Sequence, residues 1–334
     1  MALTFLPNAT TARCGAVAGV LAMAVVAAPG PALAQANYPD KPIRLIVAFP
    51  PGGSTDIVGR LVAQKVGVLW GGKSIVVDNK AGASGTIGTG ESIAAAPDGY
   101  TLTIGNSQTH GTNATLFPKL PYDLVKDVTP IAMLARTKNV LVVSRKSPYL
   151  TVDDLLKAGK SKPLSYASVG NGASSHIIGE FVTKKFNLNA VHVPYKGAAP
   201  AMTDLLGGQV DFMAATYGSV ANYAREGRLR ILAVSDDERD PRLPGVPTFK
   251  EAGLPALGLD TTIGIYGPAG LPRAIVNQWS DAIGRVAAMP DVAATLDAAG
   301  FDVWFKPASE METYHRAEVP RLGKIIKEAN VELN

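Results

Sequence analysis

Two loops carry the residue types that hold a small anion without a cationic side chain. The first is Phe49-Pro50-Pro51-Gly52-Gly53-Ser54-Thr55-Asp56, set between an apolar run from Ile43 and an amphipathic segment, Ile57 to Val66. Its paired glycines let the backbone turn closely, Ser54 or Thr55 can cap the helix that follows, and Asp56 falls in the first helical turn. Unpaired amides and the positive helix end make such a loop an anion site. Taken alone, it fits an ordinary capped strand-to-helix turn equally well. It is not a phosphate loop, because no lysine follows the glycines in the G-K-[ST] manner. The second loop is Ser168-Val169-Gly170-Asn171-Gly172-Ala173-Ser174-Ser175-His176, again glycines and hydroxyls between a strand and a helix. Two such helix ends facing each other across a cleft clamp a carboxylate from both sides. A third loop, Asn79-Lys80-Ala81-Gly82-Ala83-Ser84-Gly85, adds amides and the Ser84 hydroxyl. Its glycines fall as GxxGxxG, which is not the dinucleotide fingerprint GxGxxG.

Catalytic patterns are absent. Of the four histidines, His110, His176, His192 and His315, none falls in HExxH or at metal-ligand spacing with carboxylates nearby. There is no G-x-S-x-G elbow. Ser54 paired with His110 or His176 is conceivable as a hydrolytic couple, but a chain of this length offers many such pairs. His176, in the first turns of a helix, reads as a structural hydrogen-bonding residue, and His110, in a loop after a strand, as a residue lining the cleft. Asp211 reads as a turn residue. The expectation is no catalytic residue, no metal and no cofactor.

The elements that position these loops repeat one pattern: apolar strand, glycine-rich turn, amphipathic helix. Strands are expected at 43–49, 74–78, 100–105, 164–167, 191–194, 210–214 and 229–235, with helices at 57–66, 86–96, 174–186, 199–206 and near 219–226. Such alternation predicts a parallel, doubly wound α/β sheet, with ligands at the carboxyl ends of its strands. Lys138–Ser144 and Thr262–Gly270 are expected to pass between domains, with about 115 residues between them, an ordinary domain size. After Gly270 come helices at 272–288, 292–299 and 309–330 and a strand at 303–306. The expected architecture is one lobe, residues 35–141 with 262–334, interrupted by a second, 142–261, with hinge strands and a cleft between them.

The 334 residues are 47% hydrophobic and 18% charged, a globular composition. The net charge of +4 is spread along the chain, with no basic block, so no nucleic-acid partner is expected. Arg13 is the only charge among the first 39 residues. It is followed by an apolar stretch, Gly15 to Ala28, of about 14 residues against roughly 20 for a membrane span. Pro29-Gly30-Pro31 and the A-x-A site Ala32-Leu33-Ala34 complete an export signal over residues 1–34. The single cysteine, Cys14, lies inside it, so the mature chain has no disulfide. Export without disulfides points to a bacterial periplasm.

The sequence resembles the Bug family of periplasmic solute-binding proteins, the receptors of tripartite tricarboxylate transporters. The resemblance is carried by Tyr38–Gln64, NKAGASGTIG (Asn79–Gly88), PDGYTL (Pro97–Leu102), Leu120–Leu134, YASVGNGASSHIIGE (Tyr166–Glu180), VPYKGAAPAMTDLLGGQVDFM (Val193–Met213), Arg228–Pro255 and GPAGLP (Gly267–Pro272), in family order over nearly the whole mature chain. It implies two α/β lobes in the Venus-flytrap arrangement, with a ligand carboxylate held by amides of the loops after the first strand of each lobe. Those loops match Phe49–Asp56 and Ser168–Ser174, and the family's Ser/Thr-rich pocket segment matches Ser107 to His110. The sequence departs from the family at Thr262, where a tryptophan is usual, at Leu271, and at Ala214-Ala215-Thr216-Tyr217, where an acidic or amide residue and Asn are common. Tyr217 then stacks on or caps the ligand, which admits a less polar or aromatic acid.

The reading is a monomeric periplasmic protein that captures a small organic carboxylate for membrane transporter subunits. Phe49, Gly52 to Asp56 and Val169 to Ser174, with Gly170, Asn171, Gly172 and Ala173 between, hold the carboxylate; Ser84, Ser107, His110, Thr216 and Tyr217 shape the rest. A periplasmic sensor with a signalling partner and a serine hydrolase using Ser54 are the alternatives.

Overall fold

The computed structural model describes residues 38–328, except 256, and residue 331. The expected signal, residues 1–34, and Cys14 lie outside the described residues. Residues 37–334 form one compact unit.

Eleven strands and ten α-helices are described. The first half of the chain runs β1 (Ile43–Val47), α1 (Ser54–Leu69), β2 (Ile75–Asn79), α2 (Thr86–Ile93), β3 (Thr101–Asn106), a wide turn Gln108–Thr112, α3 (Asn113–Leu116), β4 (Val128–Thr137), β5 (Asn139–Ser144), α4 (Val152–Ser161) and β6 (Leu164–Ser168). It continues with α5 (Ser174–Lys185), β7 (Ala190–Pro194), α6 (Ala198–Gly207), β8 (Phe212–Thr216), α7 (Tyr217–Arg225), β9 (Leu229–Val234), β10 (Thr261–Pro268), α8 (Arg273–Ala287), α9 (Pro290–Ala298), β11 (Asp302–Lys306) and α10 (Ala308–Glu328).

The strands form two sheets, ordered β11-β4-β10-β3-β1-β2 and β7-β6-β8-β5-β9. The α/β two-lobed architecture read from the strand–helix alternation is present, but the sheets are mixed and not wholly parallel. β1 pairs parallel with β2 and β3, and β6 with β7 and β8. β10 runs antiparallel to β3 and β4, and β5 antiparallel to β8 and β9. The antiparallel members are the strands that carry the chain out of one sheet and back. β4 ends at Thr137 in the first sheet and β5 begins at Asn139 in the second, so a single residue, Lys138, separates them.

β4, the longest strand, was not among the expected elements. Val128–Thr137 lacks alternation, and Pro130 demotes it as a central strand. Pro130 is tolerated opposite Tyr266 beside a register shift in the β10 pairing. α4 was also not expected, although Thr151 accepts from the Asp154 N–H and the Asp154 carboxylate accepts from the Thr151 N–H, a capping box that TVDD spells out.

Each sheet is covered by helices whose apolar stripes it buries. In α8 the residues Ile275, Val276, Trp279, Ile283 and Val286 recur at helical spacing and are all buried. They join Ile43, Leu45, Leu102 and Ile263 in the first core. Trp279, fully buried, donates through Nε1 to the Tyr38 hydroxyl at 2.7 Å, which in turn donates to the Gly99 carbonyl at 2.7 Å. The second core packs Tyr166, Phe212, Ile177 and Ile178 and also takes Leu322, Ile326 and Val331 from the end of α10 and beyond. The opposite face of the second sheet buries Val140, Val142, Met202, Leu205 and Val220.

An ion cluster sits where the chain crosses between sheets. Lys138 Nζ lies 2.7 Å from Asp236 and 3.4 Å from Asp240, and Arg242 bridges Asp240 at 2.6 Å and Asp302 at 3.0 Å. Asp240 is 1% exposed. Burial pushes its carboxyl up, but the Arg242 hydrogen bonds and the Lys138 charge outweigh burial and hold it at about 2. Removing one partner of such a buried network strands the others without compensation. Asp240→Ala is therefore expected to lower the unfolding free energy by about 3–5 kcal/mol, read from urea denaturation; a loss under about 1 kcal/mol would show the cluster to be solvated.

Candidate functional site

The loop after β1 is shaped from inside by Asp56. Its Oδ2 accepts from the Gly52 N–H at 2.9 Å and from Arg60 Nε at 3.0 Å, and its Oδ1 accepts from Asn79 Nδ2 at 2.9 Å. Asn79 Nδ2 also donates to the Phe49 carbonyl at 3.0 Å. Burial raises the Asp56 carboxyl, yet these donors prevail and keep it below the usual carboxylate range. Its charge is thus spent on the loop, and the amides at the start of α1 are left facing the cleft.

The loop after β6 has a different brace. The Gly172 N–H donates to His176 Nδ1 at 3.2 Å, and His192 Nε2 lies 2.7 Å from the Ser168 hydroxyl, which also accepts from the Gly170 N–H at 3.3 Å. The two imidazoles stack at 4.1 Å and 11°, with Tyr166 beneath His192 at 5.0 Å. The Tyr166 hydroxyl donates to Glu180 at 2.5 Å.

Two further helix starts meet this pair. The segment before α6 is pinned by the Tyr195 N–H to the Ser168 carbonyl at 3.0 Å and the Gly197 N–H to the Val169 carbonyl at 3.1 Å. Gly197 has φ +110, and a Cβ there would come within 3.2 Å of Pro50 Cγ, so the loops after β1 and β7 touch. Thr216 is the N-cap of α7, and its hydroxyl lies 2.8 Å from Ser54 Oγ and 3.1 Å from Ser219 Oγ. Hydrogen bonds also bridge the two sets of loops from Ser84 Oγ to the Asn171 carbonyl at 2.6 Å, from Gln108 Nε2 to the same carbonyl at 3.2 Å, and from Thr112 Oγ1 to the Gly172 carbonyl at 3.1 Å.

Between them lies a cavity of about 100 Å³ lined by the first residues or N-caps of α1, α5, α6 and α7. Phe49, Gly53, Ser54, Thr55, Ser107, Val169, Ala173, Ser174 and Thr216 line it, as expected from the sequence. An outer chamber of about 580 Å³ adjoins it and is lined by Ser84, Gly170 and Asn171. No acidic residue lines either space, and Lys196 is the one charged residue in both linings. Amide dipoles at four helix starts, with no carboxylate opposing them, favour a negatively charged occupant.

Five expected site residues line neither space. Gly52 and Asp56 build the loop. Gly172 also lies behind its loop, where a Cβ would meet Leu116 Cδ1 at 2.8 Å. His110 is buried, stacked on Tyr266 at 3.8 Å, with Nδ1 2.9 Å from the Thr109 hydroxyl. Burial, reinforced by His315, pushes its imidazole well below the ordinary value. Tyr217 is buried under the Arg242 guanidinium at 5.2 Å, on the far side of Thr216. None of the four histidines lines the cavity, and the side-chain partner of Ser54 is a hydroxyl, so the serine-hydrolase alternative finds no base beside Ser54 among the described residues.

Pro50 and Pro51 of the first loop and Gln108, within the segment Ser107 to His110 matched to the pocket, also line it; Asn106, Ser219, Thr261 and the segment Lys196 to Pro200 complete the lining and were not expected there. The signal for the last was present: Pro-Tyr-Lys-Gly before an alanine-rich helix repeats the strand–glycine–helix pattern of the other two loops.

Fold and site together define a two-lobed solute-binding protein. The sequence matches the tripartite tricarboxylate transporter family receptor over residues 58–331, and the chain belongs to that family. It is 35% identical over 301 residues to a UPF0065 protein in the tcbD-tcbE intergenic region of a Pseudomonas species, covering 89% of each chain. Among solved structures it is similar to Rpa4515 of R. palustris with adipate, at TM-score 0.85 and 30% identity over 89% of this chain and 99% of that one. It is also similar to the periplasmic binding protein BugD, at TM-score 0.82 and 29% identity over 88% and 99%. The family resemblance read from the sequence is thereby borne out.

The stacked histidines contribute to a pH response, in the same direction as the buried His110 and His315. Burial lowers His176, and burial together with its neighbour lowers His192 from 6.5 to about 4. A depressed imidazole favours the folded state only while neutral. As pH falls below 6.5 the unfolded chain takes up protons that the folded chain refuses, so stability is lost between 6.5 and about 4. His192→Gln is expected to flatten this slope, measured as unfolding free energy against pH; an unchanged slope would assign the response to other groups.

Proposed function

We propose that this chain is a periplasmic receptor that captures a small organic carboxylate between its lobes and delivers it to the membrane subunits of a tripartite tricarboxylate transporter. The observation that carries the reading is the meeting of four helix starts in one cavity without an acidic residue in its wall. A carboxylate there accepts charge-assisted hydrogen bonds from the backbone amides at these helix starts. The adipate complex of a structural neighbour supports the ligand class, and family membership supports the partner. The neighbour named as a periplasmic binding protein, with the export signal read at residues 1–34, supports the compartment.

The lobes are residues 35–141 with 262–334, and residues 142–261. α1 belongs to the first and α5, α6 and α7 to the second. A ligand touching both sets stabilises the closed arrangement by its differential affinity for it, with no covalent step. The chain acts as a monomer.

Thermal unfolding of the mature chain with a panel of mono-, di- and tricarboxylates tests the reading. A ligand at 100 times its Kd is expected to add about 2.7 kcal/mol of stability, with a midpoint that rises with concentration. A shift produced by neutral sugars or amines, and by no carboxylate, would overturn it. Ala199→Trp, at an exposed position in the cavity wall, is expected to abolish the ligand shift while the unliganded chain stays folded. A full ligand shift in that variant would place binding elsewhere.

A further inference from the structure

We propose that His176 is a positioning residue for carboxylate capture. Its unprotonated Nδ1 holds the Gly172 amide, and through it the start of α5 and one bridge between the lobes, so that affinity falls as the ring takes up a proton. The inference rests on the carboxylate reading above and adds a proton-linked control to it. His176 itself lines neither the inner cavity nor the outer chamber.

Gly172 is held from both sides. Its N–H donates to His176 Nδ1 at 3.2 Å, and its carbonyl accepts from Thr112 Oγ1, on the other lobe, at 3.1 Å. Its φ is +80, and Leu116 Cδ1 lies 2.8 Å from where a Cβ would stand, so the residue is a glycine packed close against α3. The next residue, Ala173, is the N-cap of α5 and lines the inner cavity, as does Ser174. The direction in which the first amides of α5 point therefore follows from the peptide that His176 holds. A ligand bound to those amides depends on a ring that it never touches.

The same bond fixes the proton on the ring. A nitrogen that accepts from an N–H carries no proton, so the neutral imidazole has its proton on Nε2. Protonation puts an N–H at Nδ1, aimed at the Gly172 N–H. Two donors cannot share one hydrogen bond, and the peptide turns away. The titratable and charged groups that face the ring come from three elements. On β7, His192 stacks on it at 4.1 Å. On its own helix, Glu180 raises its proton affinity and Lys184 lowers it, and these two are paired with each other at 3.0 Å. On β6, the Tyr166 hydroxyl donates to Glu180 at 2.5 Å. Burial is the largest influence and holds the ring below its ordinary 6.5. The brace is thus complete at neutral pH and is lost as pH falls through that lowered value. A charged imidazole also attracts an anion, but the ring stands behind the loop, where its first effect is on Gly172.

The test is calorimetric titration of the mature chain with butyrate, succinate, adipate and malate, from about pH 7.5 to about pH 4.5, a span that brackets the ordinary imidazole range. Wild type and His176→Asn are compared in the same buffers, so that protonation of the acid itself cancels. The Asn Oδ1 stands as many bonds from the backbone as Nδ1 and accepts at every pH. His176→Asn is expected to keep most of the neutral-pH affinity. Over the acid range wild type is expected to lose roughly threefold to tenfold more affinity than the variant, the net worth of one hydrogen bond. His176→Leu is expected to bind weakly throughout, with no such excess loss, while circular dichroism shows it folded. Equal pH profiles in wild type and His176→Asn, or full affinity in His176→Leu, overturn the inference while leaving the carboxylate site standing. A wild-type affinity that rises relative to the variant on acidification makes the imidazolium an attractor of the ligand and also overturns it. Imidazole nitrogen NMR of wild type gives a check without a variant: at neutral pH the His176 proton is expected on Nε2, and a proton on Nδ1 overturns the inference. Absence of binding by all four acids overturns the carboxylate reading and the inference together.

Discussion

An α-helix begins with backbone N–H groups that have no partner inside the helix, and four helices here begin at one cavity. At α7 the Tyr217 N–H already donates to the Lys138 carbonyl at 2.8 Å and the Gly218 N–H to Thr137 Oγ1 at 3.1 Å, so the deficit of acceptors on which the site depends lies at the starts of α1, α5 and α6. Buried donors need partners, and the polar side chains in the wall are short hydroxyls and amides. An anion resolves the deficit and gains from four dipoles at once. The same constraint explains the residue types nearby. Glycine and alanine at Gly53, Ala173, Gly197 and Ala198 keep side chains from covering the amides that an occupant must reach.

Such a cavity works only if the charges around it are used up elsewhere. Asp56 directly follows Thr55, which lines the cavity, yet its carboxylate is committed to Gly52, Arg60 and Asn79. Two stacked histidines, which burial holds below their ordinary value, brace the second loop, with the Glu180 carboxylate bonded to Tyr166 beneath them. The Ser54–Thr216 contact joins hydroxyls, which can accept or donate as an occupant requires. The field inside the cavity is therefore set by the backbone, with Lys196 as its one side-chain charge.

The fold holds these loops on two sheets that share a strand path. β4 and β5 are nearly continuous through Lys138, and β10 brings the chain back beside β4. The ion cluster of Lys138, Asp236, Asp240 and Arg242 ties that passage to Asp302 at the edge of the first sheet. α10 adds a second tie, placing Met311 against Tyr266 in the first sheet and Leu322 and Ile326 in the second core.

The strand–turn–helix units were legible because each is encoded within about 25 residues by apolar runs, glycines and capping hydroxyls. Both anion loops, at Phe49 and Val169, were found in this way. β4 escaped because its pairing partners, β10 and β11, are over a hundred residues away and its own pattern carries Pro130. Antiparallel crossing strands likewise follow from where the chain returns, which no local period records. His110 and Tyr217 carry chemistry suited to a cleft, but tertiary packing turned both into the interior, against Tyr266 and beneath Arg242. The sequence by itself determined which loops could present bare helix ends, since that depends on neighbouring residues. Only the tertiary structure decided that three of them meet beside the bonded start of α7, and that Lys196 stands where they open, because convergence is a property of how the two sheets are joined.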